Sequence, residues 1–450
     1  MIRYFVLVVS LLCLTLISAN TAIFNFTTIC MKHERSGALN GTQESDLSSY
    51  QESILFASLS VGRALGSYPA VWLFNLYGIK CSWTAFGALS AVATIIVPLF
   101  GGGFYVLLAY QFAQGLASAH TYITLGVIPS ACGNEMEKSV FLALLTCSFQ
   151  MAQVFIMPVS GLFCSSALGW RGAYYLSGIA TGFFCLAFFF TYRETANDST
   201  STDNPEILGI YSEKEKYAEE EQAKPFIPAA KEDAVSKAKI PYWDILTSGS
   251  FWGILIVAFG DTVGYHVFLM YGPIYINKVL GFKITETGFL AAMPYFCSMF
   301  TKTIGGIFLD RATCIREQIR VLVFTSASQA AMAACFVVLT QITPELAMLG
   351  QSMMTLMIIF SGLVFVGLMN ASRIISGQHN HITSSALSVQ DSVAGLFVPA
   401  LVAMVAPNYD EQEWRRVFFI IVGFLSLTNV SFVLLTKVKP AKWSKELEGY

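Results

Sequence analysis

Three side chains that carry full charges stand inside apolar runs: Arg63, Asp261 and Lys302. A charge at the centre of a bilayer costs at least about 2.5–3.5 kcal/mol on insertion scales, so each needs a counter-charge or a wet cavity. Counted along a helix at ~1.5 Å per residue, all three fall in the middle third of a ~30 Å hydrocarbon core. Asp261, in "FGDTVGYHVF" (259–268), is therefore expected to pair with Lys302 or Arg63. Such a pair can break and re-form as a solute or proton arrives, or it can be a static ion pair that stabilises little. His266 lies roughly 140° around the same helix from Asp261 and reads as a packed or interfacial histidine. Asp391, beside Gln390, is a second candidate. Gln111, Gln114, His120 and Asn25 are neutral hydrogen-bond formers expected to line the same cavity, a lining that suits a zwitterion or polar neutral solute as readily as an anion.

These residues need spanning elements to hold them. The chain has 450 residues, of which 55% are hydrophobic and 12% charged, with mean hydropathy +0.59. Soluble domains carry about 25% charged residues, so much of this surface faces lipid. The net charge of -2 gives no footprint for nucleic acid. Apolar runs of spanning length fall at about 4–30, 52–75, 81–100, 104–128, 139–163, 171–192, 251–274, 286–309, 319–340, 345–369, 382–406 and 415–436. Lipid offers no partner to an unpaired amide, and the runs are too continuous for barrel strands, so each is a helix. The fold class is all-α membrane protein with twelve transmembrane helices. The N-terminal stretch resembles a signal peptide at first, but its apolar character continues to Met31, which makes it a retained first span.

The single long polar stretch, 193–250, reads as a cytoplasmic linker with one short helix near 212–222. It divides the chain into a six-helix bundle over 1–192 and a second bundle with a short tail over 251–450. Lysines and arginines are in modest excess on the side bearing both termini, which places the termini in the cytoplasm. Asn40, in the sequon Asn40-Gly41-Thr42, then lies in a non-cytoplasmic loop as a glycosylation acceptor. The ten cysteines form no CxxC and no Cys/His cluster, so no metal or redox motif follows, and no cofactor is implied. Cys30 and Cys164 fall near helix ends on one side, where a disulfide is open, although free thiols are the favoured state. There is no nucleotide loop and no nucleophile–base arrangement, which speaks against an enzyme.

The halves echo each other. "GWRGAYYLSG" (169–178) and "EWRRVFFIIVG" (413–423) open spans six and twelve. Gln150 stands eight residues before Pro158, and Asp391 eight before Pro399. Span two ends in "AVWLFNLYGIK" and span eight in "GGIFLDRA" (305–312). Their order argues for a duplicated six-helix unit in parallel orientation. The tryptophans are expected to anchor or pack helix ends, Gly305 and Gly306 to allow close packing, and Asp310 and Arg311 to reach water. Tyr271-Gly272-Pro273 is expected to break or kink span seven near its outer end, at a gate.

"GGIFLDRA" resembles the loop signature of the major facilitator superfamily. "YGPIYINKVLGFKITETGFLAAMPY" (271–295) resembles the signature stretch of the organic and inorganic anion transporters, the family of sialin, the vesicular glutamate transporters and the sodium–phosphate cotransporters. "AQGLASAHTY", "NPEILGIYSEKEKYAEEE" and "PNYDEQEWRRVFFIIVG" fall at matching places, so the resemblance covers nearly the whole chain. It implies two pseudo-symmetric bundles and alternating access. It also implies anion transport, often coupled to H+, Na+ or membrane potential; a monomer in a plasma, vesicular or lysosomal membrane is expected. The family usually carries an arginine and a glutamate around the Gln-Gly pair of helix four, where this chain has Gln111 and Ser118. It also carries basic residues in helix one, near Thr21, and in helix seven, where Asp261 stands. The chain thus resembles a divergent invertebrate branch in which the usual anion-gripping residues are replaced. A transporter-fold sensor without net flux is the competing expectation.

Overall fold

The computed structural model describes residues 2–37, 47–132, 141, 144–192, 242–311, 316–377 and 380–444. Asn40 and the linker helix expected near 212–222 lie outside the described residues. The helices are α1 (Ile2–Gly37), α2 (Ser49–Leu99), α3 (Phe104–Ala119), α4 (Thr121–Cys132), α5 (Ser148–Cys164) and α6 (Gly169–Thr191). They continue as α7 (Tyr242–Leu246), α8 (Gly249–Lys278), α9 (Ile284–Arg311), α10 (Glu317–Leu339), α11 (Ala347–Ser376), α12 (Asn380–Val405) and α13 (Glu411–Leu435). All of these except α7 belong to one compact unit, Met1–Arg193 with Ser248–Tyr450. The short α7 belongs to a second unit, Glu194–Thr247.

Among the described residues, nine helices are long and apolar enough to span a membrane. Three details reconcile these with the twelve expected crossings. α2 holds two spans, because Gly78 at φ 69° breaks the helical path where a side chain would be strained. The fourth span is divided into α3 and α4 at His120, whose ring bonds Ser82 (2.9 Å) and Thr124 (3.2 Å). α9 carries too many polar groups, Lys302 among them, to qualify on composition.

Burial shows which helices lie centrally. The apolar cores of α1 and α8 are 78% and 67% buried, against 33% for the peripheral α13. Trp170 packs edge-on against Tyr174 (5.6 Å) and Trp414 lies tilted against Phe418 (5.8 Å), both indoles being buried. The repeated Trp-Arg motif is therefore a packing wedge in each half rather than an interfacial anchor.

One end of the bundle carries a disulfide, Cys30–Cys164, which ties α1 to α5 with Cα atoms 5.9 Å apart. This corrects the expectation of free thiols. The apolar context of each cysteine is local, whereas the shared level of two helix ends is a property of the packed bundle. The bridge closes a loop of 134 residues. Replacing both cysteines by serine should lower stability by about 3–5 kcal/mol in the chain-entropy view. A thermal melt with and without reductant checks this, since reductant should shift only the wild type.

Candidate functional site

The site is built from charges that meet where the two bundles face each other. Arg63 on α2 donates from Nη1 to Asp391 Oδ2 on α12 at 2.8 Å, and from Nε to Ser118 Oγ on α3 at 3.3 Å. His266 Nε2 on α8 faces the other oxygen, Asp391 Oδ1, at 3.4 Å. One carboxylate thus bridges an arginine of the N-terminal half and a histidine of the C-terminal half. The packing is close here, because a Cβ on Gly395, one turn along α12, would overlap Ser60 of α2. Arg63 and Asp391 stay 19% and 24% exposed, so the pair borders a wet space instead of a sealed core.

Lys302 on α9 makes the other charged crossing. With the Gln150 amide oriented so that its nitrogen donates to the Thr146 carbonyl (3.2 Å), its oxygen accepts from Lys302 Nζ at 2.5 Å. The ammonium also lies 5.1 Å from the Phe365 ring centre. Asp261 is an electrostatic neighbour of Lys302 and faces Ser361 of α11. One of its oxygens is buried without a hydrogen bond. Direct pairing of Asp261 with Arg63 or Lys302 is thus overturned: Arg63 is taken by Asp391, and no carboxylate of a described residue lies within 4 Å of Lys302. Position in the sequence gives depth along a helix but not the face a side chain presents.

The internal repeat gives these crossings a common plan. Spans two and eight are repeat-related, as are spans five and eleven. Arg63 on span two meets Asp391 on span eleven, and Lys302 on span eight meets Gln150 on span five. The cation of the first crossing has a carboxylate partner and the cation of the second has a neutral amide.

Two further polar residues compensate prolines. Pro273 in α8 lacks the amide hydrogen that would bond the Leu269 carbonyl, and Asn25 of α1 donates to that oxygen at 2.9 Å. Pro294 in α9 likewise frees the Leu290 carbonyl, which accepts from Gln351 of α11 at 2.8 Å. α8 therefore runs unbroken to Lys278, so of the break or kink expected at Tyr271-Gly272-Pro273 the break does not occur. Asn25 is a cross-bundle tie. Asn25→Ala should cost about 1–2 kcal/mol through the orphaned carbonyl. Adding Pro273→Ala should recover most of it, since an alanine amide can bond Leu269 again. Thermal melts of the single and double variants check this.

The disulfide end is sealed between the bundles. Glu52 of α2, fully buried, is ion-paired to Lys32 of α1 and accepts from the Tyr409 hydroxyl at 2.8 Å. Tyr271 shares a hydrogen bond with Ser53 (3.1 Å), and its ring packs on Phe56 (4.8 Å). Ser165 bonds Thr285 at 2.7 Å. Gly161 and Gly288 bring α5 and α9 together so closely that a Cβ on Gly288 would lie 2.8 Å from the Met157 carbonyl. Burial, reinforced by the Glu52 charge, pushes the Tyr409 phenol far above its ordinary value, so it remains a neutral donor. Tyr409 is the one described non-glycine residue with positive φ, 58°.

Other expected site residues fall elsewhere. Gln114 is fully buried inside the N-terminal half, donating to the Ser90 carbonyl (2.9 Å) and Thr94 Oγ1 (2.8 Å) and accepting from Ser90 Oγ (2.7 Å). Ser90 also accepts from Asn20, which bonds Thr181 and Ser177. This network fastens helices within the N-terminal half. Gln111 and His120 are likewise fully buried. A Cβ on Gly306 would meet nothing within 4 Å, so close packing rests on Gly305, where it would meet Leu363. Arg311 is exposed at the end of α9; the side chain of Asp310 is outside the described set. Sequence reasoning missed Ser118, Gln150 and the Lys32–Glu52–Tyr409 seal as site members. The Gln150/Asp391 echo was the available signal for one of them.

The sequence profile of the Major Facilitator Superfamily matches residues 9–382. The chain belongs to this superfamily. It is 26% identical over 398 residues to the uncharacterized transporter slc-17.3 of Caenorhabditis elegans, covering 82% of this chain and 68% of that protein. It is 20% identical to human sialin over 87% of this chain and 76% of that one. It is 23% identical to human sodium-dependent phosphate transport protein 1, covering 88% and 82%. The resemblance to the anion-transporter family thus extends over most of the chain, as in relatives from an invertebrate. Among solved structures, a bacterial homologue of the human lysosomal transporter Spinster, inward-facing and unoccupied, superposes with TM-score 0.71 at 15% identity, covering 97% of each chain. The inward-open xylose transporter XylE from E. coli gives 0.69 at 14% identity, covering 99% of each. As a major facilitator, the chain is an integral multi-pass membrane transporter for a small molecule, with neither the fold nor the family of an enzyme.

Proposed function

We propose that this major facilitator carries out secondary-active transport of a small organic or inorganic anion by alternating access, coupled to protons. The observation that carries this reading is the unequal pair of crossings. Arg63 has Asp391 in direct contact, whereas Lys302 has the Gln150 amide at hydrogen-bond distance and Asp261 only as a neighbour beyond 4 Å, so an entering anion can supply a direct negative partner. Asp391, held between Arg63 and His266, is the coupling group: a proton on its carboxylate weakens the tie to Arg63 and loosens one bundle from the other. The disulfide supports a non-cytoplasmic position for the sealed end, because such bonds persist in oxidising compartments. Both termini then lie in the cytoplasm, and the seal corresponds to an inward-facing state.

Uptake into proteoliposomes tests this. Labelled phosphate, urate and glutamate should be screened with and without an imposed pH gradient. Saturable uptake of at least one anion, increased by the gradient, is the expected result. Binding of an anion with no flux in either condition would favour a sensor. A second reading rests on Asp261, which places a carboxylate near Lys302 and would suit the ammonium of a zwitterion. Transport of alanine in preference to every anion would support it.

A further inference from the structure

A cavity of about 530 Å³ opens at the disulfide end, on the far side of the seal from Lys302, between α1, α5, α8 and α9. Lys32, Lys278 and Lys283 line it, with Asn277, Ser165 and Thr285 among its polar walls. Lys32 and Lys278 both stand over the Tyr409 ring, at 5.5 and 5.2 Å. The acidic groups around it are few and mostly engaged. Glu52 is paired to Lys32 and bonded by Tyr409. Asp410, an electrostatic neighbour of Lys278, caps α13 in a reciprocal arrangement with Glu413. Glu286 accepts from the Lys283 amide at 3.3 Å. Neither Lys278 nor Lys283 has a carboxylate of a described residue within 4 Å of its ammonium. Three lysines line this space and no carboxylate does, and two of the three lack a direct carboxylate partner among the described residues.

We propose that this vestibule is a second anion site, distinct from the central cavity, that takes a small dianion bearing phosphate or paired carboxylate oxygens. Such an anion would lie between Lys278 and Lys283, with the second hydrogen of the Asn277 amide, whose first bonds the Phe282 carbonyl (2.9 Å), and one hydroxyl of the Ser165–Thr285 pair as hydrogen-bond partners. Because Lys32 is shared between this space and Glu52, the site touches the seal itself. The proposal does not depend on what the central cavity carries.

Cysteine reactivity of the full chain in proteoliposomes tests it. A cysteine at Asn277 would be modified with anionic and cationic membrane-impermeant methanethiosulfonates, against the parent chain as baseline. The anionic reagent should react several-fold faster, with the preference lost in Lys278→Gln/Lys283→Gln and kept in Lys278→Arg/Lys283→Arg. At constant ionic strength, inorganic phosphate or succinate should slow the reaction saturably, and whichever does so identifies the oxygen chemistry. Equal rates for the two reagents, loss of the preference in the arginine variant, or protection no greater than that by sodium chloride would each overturn the proposal.

Discussion

Lys302→Gln should raise the KM for the transported anion by about 10- to 100-fold, corresponding to the ~1.5–3 kcal/mol of a charge-assisted hydrogen bond. The ammonium lies beside Phe365 and an amide, while the other cation in the last turn of α9, Arg311, is exposed at the helix end. Gly362 presses on its stem: a Cβ there would lie 3.0 Å from Lys302 Cε. The lysine is thereby held in one place, and arginine, with a broader head, should rescue only in part. Initial uptake rates over a range of substrate concentrations check both variants. A change confined to maximal rate, with KM intact, would mean that Lys302 acts on the conformational cycle and not on the anion.

Asp391→Asn should abolish gradient-driven accumulation, by at least about tenfold, while leaving solute exchange at equal pH measurable. The carboxamide can still accept from Arg63 at the same geometry, so the cross-bundle contact survives in weakened form, at a cost of about 1–3 kcal/mol. It cannot take up a proton. Arg63→Gln should impair both activities, because a half-buried carboxylate then faces only His266. If the pair were merely structural, the exchanged variant Arg63→Asp/Asp391→Arg would restore accumulation. If Asp391 is the proton-coupled group, that variant should fold and still fail to accumulate. Counterflow and pH-jump uptake on the same vesicles separate the two.

The fold was largely legible because lipid imposes one solution on apolar runs of spanning length. The spans follow from the length of the apolar runs, and the repeat from the order of short motifs. What sequence could not provide was rotation about each helix axis. Arg63, Asp261 and Lys302 share a depth, yet Asp391 occupies the face that Arg63 meets. Asn25 was visible as a polar residue in an apolar helix, but its role depends on a proline 248 positions away, through the Leu269 carbonyl. Gln114 shows the same limit from the other side, since a buried amide looks identical in sequence whether it lines a cavity or closes a network with Ser90 and Thr94. The disulfide required two helix ends to arrive at one level. The Gln150/Asp391 echo, by contrast, was present in the sequence and proved to mark the two crossings.

The most direct measurement places a carboxylate opposite Lys302. Gln150→Glu would convert the second crossing into a likeness of the first, Arg63 with Asp391. If Lys302 holds the anion, this variant should reach the membrane folded, with a melting temperature at or above that of the wild type, and its saturable anion uptake should fall to background. Uptake with an unchanged KM in Gln150→Glu would contradict an anion site at Lys302.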